Sequence, residues 1–509
     1  MSTTRLSFLA TAVLMITVLS GAQAATVTIN GQANGPTPFI KHLNLTVSDA
    51  AALAHIEFKI YSKPGSDTRP VNVRYSKTYL ENRGLLNPLT GEITLPVFAL
   101  YENYNNRVAL VSRFTDQTSQ RDDLNMQTPV WVDTLNSHKN PNIQKARVPN
   151  TTLSYDFVML ANFQTTLNTP LIIDTDGQVR WVGTGGARSH AAILFDGGIY
   201  IFKNVDANTV NVVRMEFDGT ASVLGNHNYK DDGVTAFHHT FDYGKTGILV
   251  QPDTEAVPAL GTDAQIESVI FEIDASNGAI LGRWDFADIF RAAITAAGED
   301  PTLPAPGFVY TRTASPNDWF HSNAVYYRRS DDTIIASSRE NFVVAVDYTT
   351  KEIKWLLGDP TKKWYVNYPL SLRPKALTLA PGTSPPIGQH SVSIVRDRLL
   401  LFDNGTASLN HTPAGASHPN AIQRKYLIDV PSLTATEIWT YAANPPIVSG
   451  LQSSIYEDAS RNYVINYSTN PDLVGLDSSG NKVFHYRYSG GFATIFNARP
   501  IHFEYMEFD

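Results

Sequence analysis

The N-terminal quarter of the chain alternates apolar and polar residues with a period of two. The pattern is clearest over His55 to Tyr61, Val71 to Tyr75 and Glu92 to Leu95, with Gly, Pro and Asn between these stretches. Successive side chains of a strand point to opposite faces, so each of these strands buries one face only. Two sheets packed face to face would cover those faces. The pattern therefore predicts a small immunoglobulin-like β-sandwich over residues 25–145.

A polar, interrupted stretch over residues 117–142 follows, and we predict the linker there. Beyond it one element recurs: an apolar run, an Asp, a turn, and a second apolar run that often contains Trp. The Asp residues of its six copies are Asp174, Asp218, Asp274, Asp347, Asp429 and Asp477. Two of the five spacings, 44 and 48 residues, match four-stranded units of about 40–50 residues, and the longer spacings of 56, 73 and 82 residues leave room for loop insertions. The repeat predicts a six-bladed β-propeller over residues 146–509, which makes the whole chain all-β.

A second repeated element begins with histidine. In three copies the histidine lies nine residues before an apolar strand, and in the fourth a longer turn intervenes. These residues are His190, His239, His390 and, with the longer turn, His321. Equivalent ends of the innermost strands of a propeller converge on its central channel, so we expect these side chains to approach one another. For His190, which is nearest the start of the propeller, we expect a structural role.

Two further polar groups accompany His321. Asn323 lies two residues along the same strand, so its side chain should share a face with His321. Arg339 ends the next strand of the same predicted hairpin and offers a planar fork of donors that suits oxyanions. No carboxylate is evident among the imidazoles, the amide and the guanidinium. The set therefore predicts a binding site for an anion.

The adjacent histidines His238 and His239 need to be distinguished. Neighbouring residues on a strand face opposite ways, and the nine-residue spacing selects His239 for the channel. We therefore expect His238 to point away and to contribute to stability.

Composition removes several classes of protein. Only 17% of the residues are charged, 11% are aromatic, and Gly and Pro number 32 and 29, which suits short strands joined by turns rather than disorder or a coiled coil. The net charge of −8 disfavours nucleic acid and anionic lipid as partners. The chain has no cysteine, which excludes a disulfide framework, a thiolate metal site and a cysteine nucleophile.

The first 24 residues have the pattern of a cleaved signal peptide. Arg5 precedes an apolar run from Leu6 to Leu19, and Ala22 and Ala24 occupy the positions that a signal peptidase reads. The apolar run is shorter than the roughly 18–20 residues that span a bilayer. We therefore expect export to the periplasm and no membrane partner.

The motifs of the second half resemble those of the bacterial aryl-sulfate sulfotransferases, which do not use the nucleotide sulfate donor. The similar runs are Asp318 to Asn323, Ser337 to Arg339, Ile353 to Gly358, Gln389 with His390, and Leu401 to Gly405. The resemblance extends over essentially the whole chain after the signal peptide. It implies transfer of a sulfuryl group from a phenolic sulfate ester to a phenolic acceptor, without a cofactor, by a protein that can be a homodimer.

The resemblance also implies residue roles. His390 corresponds to the histidine that is transiently sulfated in the family, so the reaction would be ping-pong through a sulfohistidine. The supporting groups correspond to His321, to His238 or His239, to Asn323 and to Arg339. Better-studied members carry a disulfide near the active-site loop. Because this chain has no cysteine, its loop must be held otherwise or be mobile.

Two other functions are compatible with the sequence. Three histidines could hold Zn²⁺ with one open position, as in a metal-dependent hydrolase of sulfate or phosphate esters. A non-catalytic propeller could instead bind an exported partner on its channel face. Stoichiometric zinc would indicate the first, and inertness toward aryl sulfates the second.

Overall fold

The structure, a computed structural model, describes residues 24–163, 169–184, 191–206, 208–255, 266–303, 307–309 and 318–509. The predicted signal peptide, apart from its last residue, and His190 lie outside these ranges. Within them, no helix is long and apolar enough to cross a membrane.

The N-terminal part consists of two antiparallel sheets and one short helix. Its elements are β1 (Val27–Asn34), β2 (Ile40–Val47), β3 (Leu53–Ile60), β4 (Val71–Ser76), α1 (Lys77–Asn82), β5 (Glu92–Phe98), β6 (Asn105–Phe114) and β7 (Ser119–Gln127). One sheet has the order β1-β2-β5, and the other contains β4-β3-β6-β7. The period-two pattern correctly predicted β3, β4 and β5. In β3, Ile56, Phe58 and Ile60 are buried.

The linker prediction for residues 117–142 was wrong over its first part. These residues contain β7, which pairs with β6 and forms an edge of the second sheet. All but one of the β7 residues are exposed or half-buried, the exception being Met126. A strand that is polar on both faces has no apolar alternation by which to recognise it.

In the described part of the rest of the chain, short strands follow one another with two α-helices between them. In chain order the elements are β8 (Asn142–Lys145), β9 (Phe157–Ala161), β10 (Leu171–Asp174), β11 (Val179–Val182), β12 (Ala192–Phe195), β13 (Gly198–Asp206), β14 (Thr209–Met215), β15 (Ala221–Val223), β16 (Val234–Phe237), β17 (Asp242–Tyr243), β18 (Ile248–Val250), β19 (Pro252–Thr254), β20 (Val269–Ile273), β21 (Ile280–Asp285), α2 (Phe286–Ala296), β22 (Ser322–Arg328), β23 (Thr333–Ser338), β24 (Phe342–Asp347), β25 (Ile353–Gly358), α3 (Lys363–Val366), β26 (Thr378–Leu379), β27 (His390–Val395), β28 (Arg398–Asp403), β29 (Ile422–Asp429), β30 (Thr434–Ala442), β31 (Ser454–Asp458), β32 (Asn462–Tyr467), β33 (Asp472–Leu476), β34 (Lys482–Arg487), β35 (Asn497–Ile501) and β36 (Met506–Phe508).

Among the described residues these strands form six sheets of four or five strands and one two-stranded sheet, β16-β19. The larger sheets have the orders β11-β10-β9-β35, β12-β13-β14-β15, β17-β18-β20-β21, β22-β23-β24-β25, β26-β30-β29-β28-β27 and β31-β32-β33-β34-β8. Three strands cross the sequence order: β35 closes the first of these sheets, β8 extends the last, and β36 pairs with β4 of the N-terminal part. The two parts therefore exchange strands across the predicted boundary at residue 145.

The repeated Asp has a structural reason that is common to the six sheets. Each Asp ends, or closely follows, the third strand of its sheet, and its carboxylate accepts a backbone N–H from the turn that follows. Asp347, for example, accepts the N–H groups of Thr349 and Thr350 at 3.0 and 2.9 Å. An Asp side chain that bonds to its own turn fixes the hairpin. The sequence repeat thus marks one structural position in each sheet.

The starts of the inner strands bring the histidines together. His321 directly precedes β22 and His390 is the first residue of β27. β22 contacts β27, and β27 contacts β31. Two of the histidine-bearing segments adopt left-handed backbone conformations, with φ of 52° at both His239 and His321. This conformation interrupts the alternation of faces at the point where each segment enters its strand.

Candidate active site

Three histidines from separate segments meet in one buried cluster. The ring centroid of His239 lies 5.1 Å from that of His321 and 5.9 Å from that of His390. Nitrogen atoms of the three rings lie within 4.8 Å of one another. His239 and His390 are buried and His321 is nearly so. The structure therefore brings together the three imidazoles that the sequence selected.

His238 joins this cluster rather than pointing away from it, contrary to the sequence-based expectation. Its Nδ1 lies 3.0 Å from Nδ1 of His239, so one of the two nitrogens must carry the proton. The expectation assumed extended backbone, but the positive φ of His239 turns the chain between the two residues. Of the pair, His239 is the one whose ring meets His321 and His390.

The surroundings of His390 fix its tautomer. Its Nδ1 faces two oxygen acceptors, Oδ1 of Asn404 at 2.7 Å and the carbonyl of Gly388 at 3.2 Å, so Nδ1 carries the hydrogen and donates it. Its Nε2 accepts the backbone N–H of Gln452 at 3.2 Å. The Asn404 amide group is oriented in turn, because its Nδ2 donates to the carbonyls of Ser449 and Gln452. The Nε2 atom of His390 therefore has the lone pair.

Burial and charge keep His390 neutral. Burial, together with the charges of His321 and Arg339, lowers its pKa to about 3, against smaller opposing effects of its hydrogen bonds. Burial likewise lowers the pKa of His239 well below its ordinary value. Both imidazoles are unprotonated near neutral pH.

His321 has the opposite charge state, because it meets two carboxylates that the sequence analysis did not assign. Its Nδ1 lies 2.6 Å from Oε2 of Glu267 and is also hydrogen-bonded to Asp318. Burial alone would lower the pKa of His321, but the two carboxylates outweigh it and raise the pKa to about 10. The expectation of a site without carboxylates was therefore wrong. Glu267 precedes β20 in a part of the chain without a repeat signal, whereas Asp318 lies within one of the motif runs.

Arg339 and Asn323 are both buried and carry polar atoms without a partner. Nη1 of Arg339 contacts the carboxylate of Glu340, while its Nε and Nη2 have no hydrogen-bond partner among the described residues. Nδ2 of Asn323 donates to the carbonyl of Gln389 at 2.7 Å, and its Oδ1 has no partner within the same ranges. Unpaired polar atoms at buried positions are costly unless a ligand satisfies them. The two unpaired guanidinium nitrogens suit an oxyanion.

Metal ligation is geometrically possible at the same place. Among the residues that the structure describes, three groups have ligand atoms close enough to share one ion: His239 with His321 and His390, His238 with His239 and Glu267, and Glu267 with Asp318 and His321. Three imidazoles with an open position are a catalytic zinc geometry. However, a protonated His321 cannot act as a metal ligand until it loses its proton.

The structure is mostly β and holds a buried histidine cluster together with a guanidinium whose unpaired donors suit an oxyanion. The comparison with known families identifies the class of protein. The arylsulfotransferase (ASST) family model matches residues 140–489, and the chain belongs to this family.

Two curated relatives are arylsulfate sulfotransferases named AssT. The protein of Escherichia coli O6:H1 (strain CFT073) is 27% identical over 269 residues, which cover 48% of this chain and 42% of the relative. That of Lelliottia amnigena is 24% identical over 316 residues, which cover 53% of this chain and 52% of the relative. The matched part thus spans about half the length of these relatives, or less.

Among solved structures, the β-propeller domain of Cps50 (Swd1) from Myceliophteria thermophila matches with a TM-score of 0.32 and 11% identity, covering 66% of this chain and 89% of that one. This similarity is too low to carry an argument.

Proposed function

We propose that the protein is an aryl-sulfate sulfotransferase that moves a sulfuryl group from a phenolic sulfate ester to a phenolic acceptor through a sulfohistidine at His390. Family membership supports the reaction class. The observation that carries the mechanism is the tautomer of His390: its Nδ1–H is held by Asn404 and Gly388, so the lone pair is on Nε2. A neutral imidazole with a fixed lone pair is a competent nucleophile.

In the first half-reaction, Nε2 of His390 attacks sulfur, an N–S bond forms, and the S–O bond to the aryl group breaks. Attack replaces the hydrogen bond that Nε2 accepts from the N–H of Gln452, and this N–H can then donate to a sulfuryl oxygen. In the second half-reaction the oxygen of the incoming phenol attacks sulfur and the N–S bond breaks. The cycle is ping-pong and uses neither nucleotide nor metal.

Charge develops on the three sulfuryl oxygens in such a transfer, as in phosphoryl transfer, so catalysis depends on preorganised donors. Arg339 supplies two of them, Nε and Nη2, which have no partner among the described residues. Protonated His321 adds a second cation. The donor of Asn323, Nδ2, is held by the carbonyl of Gln389, so we assign Asn323 to positioning the segment that carries His390 rather than to binding the sulfuryl oxygens. Arginine is suited to this task because its planar fork matches the geometry of an oxyanion.

His321 is the best candidate to move the proton. A pKa of about 10 lies close to that of a phenol, which makes proton transfer in either direction nearly balanced. It gives its proton to the departing phenolate and takes one from the incoming phenol, so protons balance over the cycle. Neutral His239 packs against both rings, with its ring centroid 5.1 Å from that of His321 and 5.9 Å from that of His390, and so helps to hold them in place.

The fold proposal extends to the arrangement of the sheets. We propose that the six larger sheets are the blades of one propeller, closed by the pairing of β35 with β9. The N-terminal sheets would then form an immunoglobulin-like sandwich beside the propeller. The signal-peptide pattern supports export to the periplasm.

The test of the nucleophile is His390→Ala with analysis of the intact mass. Wild-type protein mixed with an aryl sulfate alone should gain about 80 Da, the mass of SO₃, whereas the variant should gain nothing and release no phenol. Phenol release is measured with and without an added phenol acceptor, because a transferase responds to the acceptor and a hydrolase does not. A variant with near-normal turnover would contradict the proposal.

The second candidate is a zinc-dependent ester hydrolase, which the spacing of the three histidines favours. Metal analysis of purified protein separates the two functions. Stoichiometric zinc, with activity lost to chelator and restored by zinc, would replace the sulfohistidine mechanism. Full turnover in metal-free buffer would exclude the hydrolase.

A further inference from the structure

Glu340, the residue after Arg339, is fully buried, and four donors converge on its carboxylate. One oxygen, Oε1, contacts Nη1 of Arg339. The other, Oε2, accepts the hydroxyl of Ser408 at 2.5 Å and the backbone N–H groups of Leu409 and Asn410 at 2.8 and 3.0 Å. One carboxylate thus joins Arg339 to a loop segment almost 70 residues further along the chain.

The same segment also contacts the chain beside His321. Nδ2 of Asn410 donates to the carbonyl of Asp318 at 2.6 Å, and Nε2 of His411 is hydrogen-bonded to the carbonyl of Trp319 at 2.7 Å. We call residues 408–411 the strap. The strap therefore connects the backbone that carries Asp318, next to His321, with the carboxylate that holds Arg339.

We propose that Glu340 is a positioning residue that fixes Arg339 and the strap together, so that Nε and Nη2 of the guanidinium stay directed at the sulfuryl group. This inference rests on the proposed function. The proposal also explains why Nη1 of Arg339 is the guanidinium nitrogen that contacts a carboxylate.

The chemistry of the carboxylate suggests the diagnostic substitution. Glu340→Gln keeps the size of the side chain, but an amide replaces one acceptor oxygen with a donor. All four groups that face Glu340 are donors, so the amide must turn its NH₂ either toward Arg339 or toward the strap. Glu340→Asp keeps both oxygens and the charge with a shorter reach, and it should recover part of the function.

A double-mutant cycle tests whether Glu340 acts through Arg339. We expect Glu340→Gln to lower kcat of phenol release about 10²-fold, as for a misplaced catalytic group. Combined with Arg339→Lys, it should add almost nothing to the loss caused by Arg339→Lys alone. If the losses of kcat caused by the two substitutions multiply in the double variant, the proposal is wrong, because a merely structural role of Glu340 would act independently of the residue at position 339. Glu352→Gln, an exposed substitution of the same kind, is the control and should leave kcat unchanged.

Amide hydrogen exchange tests the strap without any enzyme assay. In Glu340→Ala, which removes both carboxylate oxygens, the amides of Leu409 and Asn410 should exchange at least tenfold faster than in wild type, while those of β23 and β24 keep their rates. Unchanged protection at both amides would overturn the proposal. If the wild type proves inactive toward aryl sulfates, the proposed function fails, and the exchange measurement still decides whether Glu340 holds the strap.

If the Glu340 variants do not fold, a milder substitution still tests the proposal. Ser408→Ala removes one donor from Oε2 and leaves the Arg339 contact intact. It should accelerate exchange at Leu409 and lower kcat less than Glu340→Gln does. If exchange and kcat both match the wild type, the hydrogen bond from Ser408 to Glu340 does not hold the strap in place and the proposal is wrong.

Discussion

At the scale of single residues, neighbouring histidines differ in charge because their surroundings differ. Burial lowers the pKa of His390 to about 3, while Glu267 and Asp318 outweigh burial at His321 and raise its pKa to about 10. The sulfation half-reaction needs His390 neutral and His321 protonated. Its rate should therefore fall below about pH 3, where His390 becomes protonated, and above about pH 10, where His321 loses its proton. Single-turnover phenol release from an aryl sulfate, which does not itself titrate there, measures both limbs.

The fall in rate at high pH, which we call the alkaline limb, should depend on Glu267. Its charge is the largest effect that raises the pKa of His321, so Glu267→Gln should move the alkaline limb to lower pH by about one unit or more. The pKa of His321 falls in this variant because burial, which favours the neutral imidazole, is then opposed by one carboxylate fewer. The exposed substitution Glu352→Gln should leave the limb in place. A profile that does not move in Glu267→Gln would mean that the limb belongs to another group.

The same pair links pH to stability. The pKa of His321 in the folded protein lies above the ordinary histidine value of about 6.5. The interaction of His321 with Glu267 therefore makes its full contribution to stability below about pH 6.5. The contribution is lost as the pH rises through about 10. Glu267→Gln should therefore weaken the pH dependence of unfolding between about pH 6.5 and 10, measured by denaturant titration at several pH values.

Arg339 should not tolerate replacement by lysine. Arg339→Lys keeps the charge but loses the fork, so the sulfuryl oxygens lose a preorganised donor, at a cost of about 10²–10³ in rate. Steady-state kinetics with an aryl sulfate donor measures the loss, and the melting temperature should stay close to that of wild type. Recovery of more than about a third of the wild-type rate would mean that Arg339 acts as a distant charge.

At the scale of elements, the strand starts explain what the sequence could and could not predict. The nine-residue spacing selected His239 and His390. In the structure His390 is the first residue of β27, whereas His239 lies three residues before β17. The alternation rule failed at His238, because φ is positive at His239 and sequence alone does not reveal that conformation. Glu267 was missed because it lies outside every repeated element. Its importance arises only from the packing of separate segments around His321.

The adjacent histidines give a prediction at this scale. His239→Ala should lower the rate by about 10²-fold, because it removes the ring that packs against both His321 and His390 and leaves these two residues misplaced. His238 touches the cluster through His239, so His238→Ala should cost about tenfold at most, the value of one hydrogen bond. Turnover and melting temperature are measured in parallel on both variants. A stable and inactive His238→Ala would reverse the assignment.

At the scale of the whole molecule, the chain end joins the N-terminal sheets to the rest. β36 pairs in parallel with β4, and Phe508 stacks on Tyr75 with ring centroids 4.9 Å apart. One hydrophobic core contains residues of the N-terminal sheets together with residues of β9, β13 and β14. Sheets that share a core should unfold together rather than as independent domains. We therefore expect one cooperative transition for the protein.

Phe508→Ala tests this coupling. Phe508 is only 4% exposed, and loss of a buried phenyl ring costs about 3–5 kcal/mol, so the free energy of unfolding should fall by that amount. The single transition should move as a whole, and kcat at 25 °C should be unchanged, because the histidine cluster belongs to other strands. Tyr505→Ala, at a position that is 56% exposed, is the control and should change the unfolding free energy by about 0.5 kcal/mol at most.

The measurement follows unfolding by circular dichroism and the loss of phenol release in parallel. If the N-terminal sheets melt in Phe508→Ala while activity persists to the wild-type midpoint, the two parts are energetically separate and the shared core does not couple them.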